Sequence, residues 1–148
     1  MKWKYALAAL PAGLVLAANV PAPRTAGVEV HIDDLRSAKG IVRACLTADP
    51  DSFPKCNLDP AARKVAVPAG NAGSIVFKGV QPGRYAIAVL HDENGNGKAD
   101  RAITMIPKEG FGFSRDAKVS FGPPKFDDAA FTLGTDKREM AIRMRYIL

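Results

Sequence analysis

The chain is expected to be all-β, an antiparallel β-sandwich of about seven or more short strands. Three observations lead there. Apolar residues recur at alternate positions in several short runs, and Gly, Pro, Asn and Asp punctuate those runs. No segment carries a long helical period. A chain of 148 residues with 47% hydrophobic content is sized for one domain with a substantial core.

The amino terminus reads differently from the rest. Lys2 and Lys4 precede an apolar stretch at 5–18 that only Pro11 and Gly13 interrupt, and Ala17 and Ala18 follow as small residues. That is the layout of a signal peptide, residues 1–22, with cleavage expected after Ala18; a cut after Ala22 is disfavoured because Pro23 would follow. An uncleaved anchor is the alternative, but the run is short of the ~20 apolar residues of a membrane span. No stable span is expected after cleavage, and no Cys lies nearby to accept a lipid. Residues 27–148 are expected to form a single sandwich domain, periplasmic or secreted.

Within that domain, Val28, Val30 and Ile32 alternate with Glu29, His31 and Asp33, the pattern of a strand buried on one face. Lys39-Gly40 turns the chain into a second strand at 41–46. Strands at 64–67 and 74–80 flank the turn Gly70-Asn71-Ala72-Gly73. Gln81-Pro82-Gly83-Arg84 suits a type II turn, with Gly83 supplying the positive φ. The run at 85–90 is apolar on both sides, as a central strand is. Residues 102–106 are its expected hairpin partner, and 130–133 and 140–146 complete the set, with room for a short helical turn at 126–130.

Cys45 and Cys56 are the only cysteines, and an oxidising compartment would join them. Closing so short a loop is worth about 3 kcal/mol in the chain-entropy model. Net charge is +6, scattered apart from Lys137-Arg138 and Arg143 to Arg145. Nucleic-acid binding would need a denser basic patch with interleaved aromatics and is not expected.

The stretch after the central strand is the main candidate site. Asp92, Asn94, Asn96 and Asp100 stand at positions 1, 3, 5 and 9 of a calcium loop, Gly97 at position 6, and Lys98 at position 7, where the backbone carbonyl binds. A hard cation needs several converging oxygens, and alternate residues of a tight loop supply them. Position 12 is Ile103 instead of a bidentate acid, so further ligands would have to come from Glu109, Asp127 or Asp128. The competing reading is a plain hairpin whose tip uses Asn-Gly twice.

Two more blocks are unusual. Residues 109–114 hold Phe111 and Phe113 with Gly112 between, and glycine in a strand marks a bulge or a close approach. Residues 122–131 are Pro-rich, expected as a loop pinned to the sandwich by Phe126 and Phe131.

Taken together, PGRYAIAVLHDENGNGKAD, PKEGFGFS and GPPKFDDAAF, in that order and spacing, resemble the bacterial family of domain of unknown function 2141. The resemblance covers roughly residues 82–131. It implies an exported sandwich, transthyretin-like or immunoglobulin-like in outline and similar to surface-protein B-type modules, with no activity assigned. Arg115 stands where the family usually has Asn.

The expected function is therefore a non-catalytic exported module with an unknown extracytoplasmic partner, stabilised by calcium in the Asp92–Asp100 loop. One alternative is a carbohydrate- or peptide-binding sandwich using exposed Phe111 and Phe113. The other, a transthyretin-related hydrolase, fits poorly, because only His31 and His91 exist and the Tyr-Arg-Gly-Ser tail is absent.

Overall fold

The computed structural model describes residues 21–97 and 108–147. Eight strands form among them: β1 (Ala26–Asp33), β2 (Ile41–Thr47), β3 (Arg63–Pro68), β4 (Ser74–Val80), β5 (Gly83–Asp92), β6 (Gly110–Phe113), β7 (Phe131–Leu133) and β8 (Arg138–Arg143). A one-turn helix, α1 (Phe126–Ala129), precedes β7. The expected signal segment and the expected 102–106 strand lie outside the described residues, apart from Pro21 and Ala22.

Two sheets face each other, ordered β4-β1-β8 and β3-β2-β5-β6, with β7 also on β5. The period-two pattern explains why they stack. Val28, Val30 and Ile32 of β1 and Ile75 and Phe77 of β4 turn inward, against Val42, Ala44 and Leu46 of β2 and Ile87 and Val89 of β5. Pairing is antiparallel except between β1 and β8, which run parallel from Val28↔Arg138 to Asp33↔Arg143. The sandwich is thus all-β as expected, and largely antiparallel.

The positive φ before β5 belongs to Gly79 and not to Gly83, which corrects the expected type II turn. Between Ala26↔Val80 and Val28↔Phe77, β4 carries one residue more than β1, a bulge at which left-handed Gly79 sits.

β5 is central, as its two apolar faces require. It pairs with β2 along 86–92 and shares its other edge between β7 (Gly83–Tyr85) and β6 (Ala88–His91). The edge expected for a 102–106 hairpin is thus occupied by β6. The gap between β7 and β6 is bridged by one side chain. Buried Ser114 Oγ accepts from Ile87 N (2.9 Å) and donates to Ala129 O (2.6 Å).

The glycines of β6 are there for close approach. A Cβ on Gly110 would lie 2.2 Å from the Tyr146 ring, and one on Gly112 2.7 Å from Ile142. Phe111 and Phe113 point to the other face, the outer face of the five-stranded sheet. There Phe113, Phe126, Ala86 and Ala130 make a second apolar cluster with Phe53 from the loop between β2 and β3. The Cys45–Cys56 disulfide ties that loop down, with Cα atoms 6.4 Å apart. Phe113 is buried and Phe111 half-buried, so the two rings are packing residues and not an exposed platform. Phe126 and Phe131 anchor the Pro-rich loop as expected.

Candidate functional site

The polar residues concentrate where β5 ends. His91 faces inward and Asp92 outward, both fully buried. The turn before β2 crosses directly above them. A Cβ on Gly40 would come within 2.1 Å of Asp92 O, so only glycine fits, and its φ of 71° is the left-handed value glycine allows.

His91 is held by two bonds. Nε2 lies 2.8 Å from Lys39 O, a carbonyl that can only accept, so Nε2 carries the proton. Nδ1 then accepts from the Tyr146 hydroxyl at 2.7 Å. The same oxygen accepts from Arg36 N at 3.2 Å. Burial pushes the Tyr146 phenol above its usual range. The Arg36 guanidinium stacks 4.4 Å over the Tyr146 ring and also bonds Glu93, with Nε 3.2 Å from Oε2. Ser37 Oγ donates to Glu93 Oε1 at 2.8 Å. The Arg36 bond is the main reason that the Glu93 carboxyl is lowered to about 2, with burial opposing it and Ser37 adding to it.

Asp92 organises the loop that follows. Oδ2 accepts from Gly97 N (2.8 Å) and from Arg43 Nε (2.9 Å), and Oδ1 accepts from Asn96 N (3.1 Å). Asn96 N also reaches Asn94 Oδ1 at 3.0 Å. Gly95 and Gly97 both adopt positive φ, 71° and 76°, so both Asn-Gly steps are turns. Burial raises the Asp92 carboxyl, but Arg43 and the two amides outweigh it and hold it below its usual value.

These contacts bear on the calcium expectation. Asp92, Asn94 and Asn96 do share one turn, wound around the position-1 carboxylate. Lys98 and Asp100 lie outside the described residues. Arg43 occupies one Asp92 oxygen, so a cation there would have to displace a guanidinium. Among the described residues no group of three or more His, Cys, Asp or Glu is arranged to hold a metal. Asp127 and Asp128 are at the wrong end. Asp127 pairs with Arg84, eight residues back along β5, or about 26 Å at 3.3 Å per residue. Asp128 Oδ2 accepts from Lys125 N. Of the three outside candidates, Glu109 alone lies at the right end, being buried beside Gly110, the partner of His91.

Sequence reasoning missed Arg36, Ser37, Arg43 and Tyr146. Arg43 and Asp92 are 49 positions apart, and only the β2–β5 register, Ile41↔Asp92, sets them diagonally on one face. A lone Arg alternating with apolar residues in a strand was the one available signal.

Fold and site together define a small disulfide-bridged β-sandwich with an Asn-Gly turn wound on the buried Asp92 carboxylate at the end of β5. Residues 30–141 match the model of the family described as "Uncharacterized protein conserved in bacteria" (DUF2141), and the chain belongs to that family. No curated protein and no solved structure matches it. Among the described residues no helix is long and apolar enough to cross a membrane.

Proposed function

We propose that the protein is an exported, non-catalytic β-sandwich module whose acidic loop takes calcium weakly. The observation that carries the non-catalytic reading is the burial or bonding of the candidate acid–base and nucleophilic side chains, with exposed His31 the exception. His91 is fully buried between Tyr146 and Lys39, and Ser114 is buried between Ile87 and Ala129. Cys45 is bonded to Cys56, and Asp92 is enclosed by Arg43 and two amides. A general base or nucleophile needs reach to a substrate, which none of these has. Export is supported by the disulfide, which persists in oxidising compartments, and by the basic, apolar amino-terminal stretch.

The calcium reading is supported by the winding of Asn94, Asn96 and Gly97 around Asp92. Arg43 is the resident counter-ion, so affinity is modest, at about 10⁻⁴ to 10⁻³ M, the range of low-charge extracellular sites. At ten times the dissociation constant, calcium then adds about 1.4 kcal/mol to stability. Melting curves in chelator and in millimolar calcium test it. A calcium-dependent rise that vanishes in Asp92→Ala is expected, with magnesium substituting poorly. Coinciding curves for the natural protein would leave the plain Asn-Gly hairpin.

A further inference from the structure

The loop 118–125, Lys118-Val119-Ser120-Phe121-Gly122-Pro123-Pro124-Lys125, has an unusual apex. Phe121 is fully exposed, at 109% of its reference area, while Phe53, Phe113 and Phe126 interlock in the cluster beside it. Both roots of the loop are fixed in that cluster, through Ala117 and Val119 on one side and Phe126 on the other, and Pro124 is buried. Floppiness of the roots therefore does not account for the exposed ring. A fixed base holds it out in solvent, against the hydrophobic effect.

The charges around it are mixed, and among the described residues only Asp127 of the three nearby carboxylates is neutralised by an ion pair. Asp127 is paired with Arg84 at 2.8 Å, Asp128 Oδ2 accepts from Lys125 N at 3.2 Å, and Asp116 Oδ1 accepts from Arg143 N at 3.1 Å. Among the described residues neither the Lys118 nor the Lys125 ammonium is in an ion pair, and both lysines are exposed. The open groove beside the tip is lined by Arg115, Lys118 and Ser120 as well as by Asp116, Asp127 and Asp128. The loop thus carries one exposed aromatic ring, flanked in sequence by two exposed lysines that are in no ion pair among the described residues.

We propose that this loop docks the protein, reversibly, on an anionic phospholipid surface, with Phe121 entering the interface and Lys118 and Lys125 facing headgroup phosphates. Aromatic rings partition to the boundary between headgroups and acyl chains, and lysines close to an anionic surface are drawn to it. One ring and two lysines make a contact that is weak and screened by salt. The proposal does not depend on calcium.

The test uses the protein purified from an exporting host, kept in chelator so that calcium cannot bridge to lipid. Sedimentation with phosphatidylglycerol-rich vesicles should capture it. Phe121→Ala should reduce the partition coefficient by at least about ten-fold, and Lys118→Gln and Lys125→Gln by about five-fold each. Capture should fall in 0.5 M salt, by screening, and be weak on phosphatidylcholine alone. The indole of a Phe121→Trp variant should shift its emission to shorter wavelength when the anionic vesicles are added. Equal capture of the natural protein and Phe121→Ala, or an unshifted indole emission in the Phe121→Trp variant, would overturn the proposal. So would a soluble protein partner that needs Phe121 while vesicles capture nothing.

Discussion

The two ends of β5 each carry an arginine–carboxylate pair of nearly the same length, Arg43–Asp92 at 2.9 Å and Arg84–Asp127 at 2.8 Å. They do different things. At the Asp92 end the carboxylate is fully buried and two backbone amides share it, so the pair shapes the loop. At the Arg84 end both partners are largely exposed, with side chains 54% and 79% accessible. There Phe126, packed against Phe53, holds α1 in place, and the ion pair lies over it, with Arg84 5.3 Å above the Phe126 ring. Burial, and not distance, decides what an ion pair is worth.

The same substitution at the two ends breaks or sharpens that contrast. Arg43→Ala leaves the Asp92 carboxylate with only its amides and should cost about 2 kcal/mol, below the range for a fully buried pair because the Arg43 side chain is 36% exposed. It should also bring the Asp92 carboxyl back toward its ordinary value. Urea unfolding at neutral pH gives the first, and carboxyl titration by NMR the second. A cost under about 0.5 kcal/mol, as for a surface pair, would mean that the amides alone neutralise Asp92.

Next in size is the acid response of Glu93. Its folded value lies near 2 against an ordinary 4.5, so it contributes stability that is full above pH 4.5 and is lost as pH falls toward 2. Because the Arg36 side chain is 38% exposed, solvent screens the pair, and the loss should be about 1–2 kcal/mol. Glu93→Gln should flatten the stability profile across that window. An unchanged acid slope in the variant would move the acid sensitivity to Asp92.

The smallest effect belongs to Arg84→Ala, at about 0.2–1 kcal/mol and reduced by salt. A loss near that of Arg43→Ala would show that Arg84 works through its contact with Phe126, so that packing and not charge would govern that end.

Much of this was legible without coordinates. Alternation in 28–32, the two-sided apolar run at 85–90 and the Asn-Gly steps each express a local rule, and each produced the expected strand or turn. The glycine between Phe111 and Phe113 announced a bulge or a close approach but not by what, since Ile142, and Tyr146 beside Gly110, come from the far end of the chain. Pro82-Gly83 misled because Gly79, inside β4, supplies the left-handed residue and Gly83 starts β5 extended. Phe111 and Phe113 sharing a face was predictable. That the disulfide-bound loop, α1 and the segment after β6 would cover that face was not.

By itself the sequence determined seven of the eight described strands, β6 excepted, along with the punctuation between them, the tight loop after Asp92 and the single available cysteine pair, because each depends on neighbours a few residues apart. Tertiary structure alone decided the parallel seating of β8 on β1, the meeting of Arg43 with Asp92, and the meeting of Tyr146 with His91 across 55 positions. A period of two says which residues share a face but leaves the partner strand and its register open. Contacts between side chains are set by register.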